Sequence, residues 1–213
     1  MLVDPTLFGL FVVTGLALNL TPGPDMMFVF AAGTSAGRRS GVLAALGIGA
    51  GGLVHTAAAA AGLSALLVSS ALAFSVVKYA GAAYLVYLGV RALLSPADPS
   101  AAPSPPNLPV APRDGVLWRA VMTSVLNPKV ALFFLAFVPQ FVSADHGPVA
   151  LQFLLLGTTF CITGTLVNGL VGILAGSVRG VLARRTRWAR PLDRATGAVF
   201  ILLGVRLALA GQK

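Results

Sequence analysis

A break rich in proline interrupts the first apolar run of the chain, and this break limits the possible folds more than any other feature. The run covers residues 7–32, yet residues 19–25 within it read Asn-Leu-Thr-Pro-Gly-Pro-Asp. Pro22 and Pro24 have no backbone N–H, and their rings crowd the preceding helical turn. A helix that enters from Leu7 should therefore unwind near Thr21 and begin again at Pro24.

The composition indicates a membrane protein. Hydrophobic residues make up 57% of the chain, charged residues make up only 10%, and the mean hydropathy is +0.89. Unwound backbone in hydrocarbon is tolerated only where it is buried in protein or lines a wet cavity, so the break should point inward, toward a site. The N-terminus lacks the basic region of a signal peptide, and we expect the first run to stay uncleaved.

Six apolar segments are predicted to be membrane helices. Each is near or above the roughly 20 residues that a helix needs to span a bilayer, and none alternates like a barrel strand. Their predicted bounds are residues 5–32, 41–63, 71–94, 116–142, 148–178 and 192–210. Eleven arginines lie in or beside the loops after the first, third and fifth segments. The positive-inside rule makes these loops cytoplasmic and puts both termini outside. The formal charge of +9 is thus assigned to orientation and lipid headgroups, not to nucleic acid.

A linker over residues 95–115 holds seven of the fourteen prolines and separates two similar halves. Residues 80–91 of the third segment match residues 195–206 of the sixth, and both stretches end in Leu-Gly-Val-Arg; Pro128-Lys129 before an apolar run resembles Pro24-Asp25. Because three helices are an odd number, the second half would enter from the opposite side of the membrane. We therefore predict an all-α single transporter domain, residues 1–213, with two inverted three-helix repeats, residues 1–94 and 116–213, and with helices one and four broken. Chance similarity between apolar helices is the alternative.

The two predicted breaks carry opposite charges, Asp25 and Lys129. An uncompensated charge in mid-membrane costs about 2.5 to 3.5 kcal/mol, so both side chains should face the interior of the bundle. We expect them to line a cavity for a zwitterionic solute; the alternative is a buried ion pair that only fixes packing. The expected substrate-binding residues are Asn19, Thr21, Pro22, Gly23, Pro24, Asp25, Asn127, Pro128, Lys129 and Asn168.

Ion coupling is expected at Asp25, Lys78 and His55. Lys78 lies near the outer end of the third segment, where snorkelling to the interface is an equal alternative. His55 continues a row of small residues, Gly47 and Gly51, that is typical of close helix packing, so it is either a core histidine or a proton relay. The chain has no glutamate, a single cysteine and no nucleotide-binding motif. We therefore expect no enzyme activity, no metal and no cofactor, and transport driven by a gradient.

Several motifs together are specific for a known family. They are residues 19–25, Asn127-Pro128-Lys129, the Ala-Ala-Tyr-Leu-Val-Tyr-Leu-Gly of residues 82–89, and Pro139-Gln140-Phe141. With these motifs the chain resembles the LysE/RhtB family of bacterial amino-acid exporters over almost its whole length. The resemblance implies a small secondary transporter of the inner membrane that exports homoserine, threonine, leucine or a basic amino acid in exchange for protons. The motif positions, including Lys78, are then the transport pathway.

The leading hypothesis is therefore a multi-pass inner-membrane exporter of a neutral amino acid or derivative, working by alternating access. Its partners would be the amino acid, protons and membrane lipid, and a homodimer is left open. An inorganic cation exporter is a second hypothesis, although it would call for several intramembrane carboxylates or histidines. A channel or scaffold that transports nothing actively is the third.

Overall fold

The computed structural model describes residues 2–63 and 115–177, and also six single helical residues of the third predicted segment: Val76, Tyr79, Ala83, Val86, Tyr87 and Val90. Within this part of the chain every regular element is helical. The rest of the third segment, including Lys78, lies outside the described residues, as do the sixth segment and all of the linker except Gly115.

The first predicted span consists of two helices that meet at an angle of 52°. Helix α1 is Pro5–Leu20 and helix α2 is Pro24–Ala36. The side chain of Asp4 caps the start of α1 by accepting hydrogen bonds from two backbone N–H groups. Pro24 occupies the first turn of α2, where a missing N–H costs nothing. The predicted break at Thr21 and restart at Pro24 are thus confirmed.

The second broken span begins with α4, Val116–Val125, and resumes with α5, Pro128–Leu132. The segment after α5 continues as a π-helical turn, Phe133–Phe137, and a 3₁₀ turn, Val138–Phe141. The two parts of this span are bent by 45°. Pro128 again stands at the first helical position, so the same local chemistry that interrupts the first span interrupts this one.

Two further helices are continuous. Helix α3 is Arg38–Ala58, and it is extended by a π-helical turn to Leu63; helix α6 is Val149–Ser177. By length and composition, two helices in the described residues could cross a membrane, and each bent pair could add one more span. Gly37, at a φ of 89°, makes the tight turn that joins α2 to α3.

Glycines bring α3 into backbone contact with its neighbours. A Cβ added at Gly47 would lie 2.5 Å from the carbonyl oxygen of Leu117 in α4. A Cβ added at Gly41 would lie 2.7 Å from the backbone of Gly172 in α6. The expectation that the glycine row of the second segment serves close packing is therefore confirmed at Gly47.

A phenylalanine cluster fills the space where α1, the π-helical turn after α5 and α6 meet. The ring of Phe11 lies 5.2 Å from that of Phe141, and the ring of Phe133 lies 4.2 Å from that of Phe160, measured between centroids. Contacts between apolar side chains in a membrane stabilise through dispersion, since lipid is as apolar as the core. We define the cluster by its interacting rings: Phe11, Phe133, Phe134, Phe137, Phe141 and Phe160.

Candidate functional site

A cavity of about 40 Å³ lies between the two helix breaks. Both breaks contribute to its wall, as do the middle of α3 and the middle of α6. A cavity of this size holds a few water molecules at most, because a cavity volume of about 10 to 15 Å³ is needed to hold one. The lining residues are Leu18, Asn19, Thr21, Gly23, Asp25, Met26, Ile48, Gly49, Gly52, Ser124, Asn127, Lys129, Val130, Phe160, Cys161, Gly164, Thr165 and Asn168.

The ammonium group of Lys129 occupies the first break. Its Nζ donates to the carbonyl oxygen of Leu18 at 3.0 Å and to that of Thr21 at 2.9 Å. These carbonyls belong to the end of α1, where the last carbonyls of a helix have no partner within it. A cation at this position also complements the negative end of the helix dipole. Lys129, which belongs to the second broken span, thus caps the C-terminal end of α1 in the first broken span.

Asn127 connects the second break to the acid of the first. Its Oδ1 accepts from the backbone N–H of Lys129 at 3.0 Å, which makes Asn127 the N-cap of α5. Its Nδ2 donates to Oδ1 of Asp25 at 2.9 Å. Asn127 is buried, with 2% of its surface exposed, so this amide has little access to water. One side chain therefore stabilises the restart of one span and orients the carboxylate of the other.

Asp25 and Lys129 do not form a direct ion pair among the described side chains. The carboxylate accepts from an amide, and the ammonium donates to two carbonyl groups. The ion-pair alternative therefore does not describe this conformation. Each charge is held by neutral dipoles from the other span, so both charges remain able to interact with a third, charged group in the cavity.

The other residues expected at the site either line the cavity or interrupt the helices beside it. Besides Asp25, Asn127 and Lys129, the cavity wall includes Asn19, Thr21, Gly23 and Asn168. The three prolines of the breaks, Pro22, Pro24 and Pro128, are not among the lining residues. Their contribution is to interrupt the helices, which frees the carbonyls and N–H groups that the charged residues use.

Gly23 provides the room through which the Lys129 side chain passes. A Cβ at this position would lie 3.3 Å from Nζ and 3.4 Å from Cδ of Lys129. The first distance is slightly shorter than an ordinary van der Waals contact and the second is at its limit, so a methyl group here would shift the lysine by a few tenths of an ångström. The backbone of Gly23 is extended, and the glycine is explained by this close approach.

The two asparagines of the wall differ in how their amides are used. Nδ2 of Asn19 donates to the carbonyl oxygen of Phe160 at 3.3 Å and to Oγ1 of Thr163 at 3.1 Å, which fastens the end of α1 to α6. Asn168 is 5% exposed, and its Oδ1 has no hydrogen-bond partner in the described part of the chain. A buried acceptor without a donor is costly, so Asn168 is the side chain of the wall best prepared to bind a ligand donor.

His55 lies behind the cavity wall. Its Nε2 is 3.2 Å from the carbonyl oxygen of Ser124, a lining residue, and its ring stacks on Phe134 with 5.9 Å between centroids. Because a carbonyl only accepts, Nε2 carries the proton. His55 therefore reaches the site through Ser124, and Lys78, the other expected coupling residue, lies outside the described residues.

Several lining residues carry no signal in the sequence. Cys161 and Thr165 share one face of α6 with the expected Asn168, but neighbouring residues on other faces are equally apolar or small. Cys161 packs against Gly52, where an added Cβ would lie 2.7 Å from its Sγ. Only the position of α6 against α3 shows that this face belongs to the site.

Comparison with known proteins matches nearly the whole chain to one family of translocators. A family described as LysE type translocator matches residues 16–211. An uncharacterized membrane protein of Vibrio cholerae serotype O1 is 32% identical over 203 residues, which cover 94% of this chain and 95% of that protein. No solved structure matches the chain.

Relatives with a functional name are also similar over nearly their full length. A leucine efflux protein of Enterobacter sp. is 29% identical over 201 residues, covering 94% of each chain. A leucine efflux protein of Salmonella choleraesuis is 27% identical over 198 residues, covering 93% of this chain and 92% of that protein. The matched length includes both breaks.

Proposed function

The chain belongs to the LysE type translocator family, and from this premise we propose that it exports a neutral amino acid across the bacterial inner membrane in exchange for protons. The leucine efflux proteins among its relatives support an amino acid as the substrate. The protein would then be a secondary transporter and not an enzyme.

One observation carries the proposal: a carboxylate and an ammonium group line one cavity without neutralising each other. An ammonium has three N–H donors, and the described contacts of Lys129 use two. A substrate carboxylate can take the third. Asp25 and the Oδ1 of Asn168, which has no partner among the residues that the structure describes, suit a substrate ammonium. This pairing of charges matches the zwitterion of an α-amino acid.

The matched positions of the two breaks support inverted repeats. Pro24 and Pro128 each occupy the first position of a half-helix, and Asp25 and Lys129 each occupy the second. We propose that residues 1–94 and 116–213 are two copies of one three-helix unit of opposite orientation, with the site at their interface. The arginine-rich loops would be cytoplasmic, and both termini would lie outside.

Alternating access requires the cavity to open. Sites that hold a small organic molecule have volumes of about 300 to 1,000 Å³, whereas this cavity measures about 40 Å³. The helices around the breaks must therefore separate before a substrate enters. We propose that this conformation is a closed state between the outward-open and inward-open forms.

Asp25 is the proposed coupling group. When it is ionised, the carboxylate binds the ammonium group of the substrate, and after the substrate has left, the same carboxylate takes up a proton. Substrate and proton are thus exchanged at a single group. His55, whose ring is held beside the cavity by the carbonyl of Ser124, and Lys78 are the groups proposed to exchange protons with it. The exchange needs no cofactor.

Counterflow in proteoliposomes tests the proposal. Vesicles containing the purified chain are loaded with unlabelled leucine, and uptake of labelled leucine, threonine, homoserine, lysine and manganese ion is followed. We expect saturable leucine counterflow that an imposed pH gradient accelerates. Exchange of manganese alone would favour the cation exporter, unsaturable leakage would favour a channel, and no flux at all would favour a scaffold; each of these results contradicts the proposal.

A further inference from the structure

We propose that Phe160 sets the size of the side chain that the exporter accepts, and that the substrates are α-amino acids with short aliphatic side chains. This inference rests on the proposed function and specifies it. Phe160 forms no part of either break, and it is the lining residue whose ring also belongs to the phenylalanine cluster.

Apolar residues make up part of the cavity wall. Leu18, Val130 and Phe160 are lining residues that also belong to the hydrophobic core around the phenylalanine cluster. With Asp25 and Lys129 assigned to the α-ammonium and α-carboxylate groups, the side chain of the substrate is left to face the apolar part of the wall. An apolar wall favours an apolar side chain, because a polar one would lose its hydrogen bonds to water.

The charges of the wall agree with an uncharged side chain. Among the lining residues that the structure describes, Asp25 is the one carboxylate and Lys129 the one ammonium. Both pair with the ammonium and carboxylate groups that every α-amino acid carries. A basic side chain would need a second carboxylate, and an acidic one would need a second cation.

The ring of Phe160 is held on several sides. It stacks on Phe133 with 4.2 Å between centroids, and it makes a T-shaped contact with Phe134 at 5.9 Å. On the side of α1, a Cβ at Gly15 would touch Cδ2 of Phe160 at 3.4 Å. The carbonyl oxygen of Phe160 accepts from Asn19. A ring held in this way is a rigid part of the cavity wall, so it limits the length of the substrate side chain.

The test measures a ratio within each preparation, so that a partly folded sample does not change the result. Proteoliposomes of the wild type, Phe160→Ala and Phe160→Leu are compared for counterflow of labelled leucine and labelled phenylalanine. Phe153→Ala is the matched control, because Phe153 is fully buried in the same core and on the same helix but does not line the cavity. Phe160→Leu retains an apolar side chain and serves if the alanine variant does not fold.

We expect the wild type to prefer leucine, and Phe160→Ala to reduce this preference about tenfold or more, since methylene-sized differences in an apolar pocket discriminate by about 10- to 200-fold. Phe160→Leu should shift the ratio in the same direction, and Phe153→Ala should leave it unchanged. An unchanged ratio in both Phe160 variants, an equal shift in Phe153→Ala, or a wild type without preference would overturn the inference alone. A wild type that exchanges no amino acid would overturn the proposed function as well.

Discussion

Nδ2 of Asn127 lies 2.9 Å from Oδ1 of Asp25, and this hydrogen bond joins the two broken spans at their breaks. The reciprocal bonds run from Lys129 to the carbonyls of Leu18 and Thr21. The second span thus supplies the ammonium group that binds the free carbonyls of the first break. It also supplies the amide that binds the carboxylate of that break. The two breaks form one polar unit, and a change at one of them should be felt at the other.

Replacing Asn127 separates its two roles. Asn127→Ser keeps a side-chain acceptor for the N-cap but loses the donor to Asp25, whereas Asn127→Ala loses both. We expect both variants to transport about tenfold more slowly or worse, because a hydrogen bond to a charged group contributes about 1.5 to 3 kcal/mol. Only the alanine variant should lose a further ~1 kcal/mol of stability from the missing cap. Counterflow and thermal unfolding in detergent check this, and wild-type transport by Asn127→Ser would contradict it.

At Lys129, the hydrogen bonds and the charge can be tested apart. Lys129→Gln can still donate to one of the two carbonyls at the end of α1, whereas Lys129→Met donates to neither, and a lost hydrogen bond to a buried oxygen costs about 1 to 3 kcal/mol. We predict that both variants fail to transport, and that the methionine variant unfolds at a lower temperature than the glutamine variant. Equal unfolding temperatures would show that these carbonyls find other donors, and transport by Lys129→Gln would show that the positive charge is dispensable.

The sequence predicts the breaks well because the cause is local. A proline at the first position of a half-helix interrupts a span whatever surrounds it; α2 begins at the expected Pro24, and α5 begins at Pro128 within the second expected break. The partners of Asp25 and Lys129 are not local. The sequence shows only that the two side chains have opposite charges, so it allows a direct ion pair. The contact between the two spans shows that the partners are instead an amide, for Asp25, and two carbonyl groups, for Lys129.

Phe160 illustrates what the sequence does not reveal. In a membrane helix both the lipid-facing and the core-facing sides are apolar, so periodicity does not distinguish a phenylalanine beside a cavity from one in lipid. The π-helical turn Phe133–Phe137 is also not predicted from the sequence, because it depends on how several rings pack together. His55 was a candidate relay, and its actual partner, the carbonyl of Ser124, depends on the contact of α3 with α4.

Gly23→Ala should slow transport without unfolding the protein. The added methyl group would meet Nζ of Lys129 at 3.3 Å and push the ammonium away from its carbonyl partners. Overpacking typically costs about 1 to 3 kcal/mol, and the lower part of this range corresponds to a loss of roughly five- to tenfold in rate. Gly9→Ala, where no atom lies within 4 Å of the new Cβ, is the control and should transport normally. Equal rates for both variants would refute the role assigned to Gly23.

The crossing of α3 and α6 predicts a contrast between two glycines of one helix. A Cβ at Gly172 would lie 2.7 Å from the backbone of Gly41, whereas a Cβ at Gly169 has no atom within 4 Å. Gly172→Ala should therefore force the helices apart and cost about 1 to 3 kcal/mol. Gly169→Ala should be neutral or slightly stabilising, since alanine favours helix. Thermal unfolding of the two variants in the same detergent measures the difference, and the reverse order would contradict this packing.

The most direct test of the account is the response of Asp25→Asn to a pH gradient in leucine-loaded proteoliposomes, with Asp145→Asn as the control. Asp145 is exposed in the loop before α6, so its variant should keep the full acceleration of leucine efflux by the gradient. We predict that Asp25→Asn loses this acceleration, because an amide cannot take up the proton that is exchanged for the substrate. Efflux from Asp25→Asn that the gradient accelerates as strongly as in the wild type would contradict the central claim.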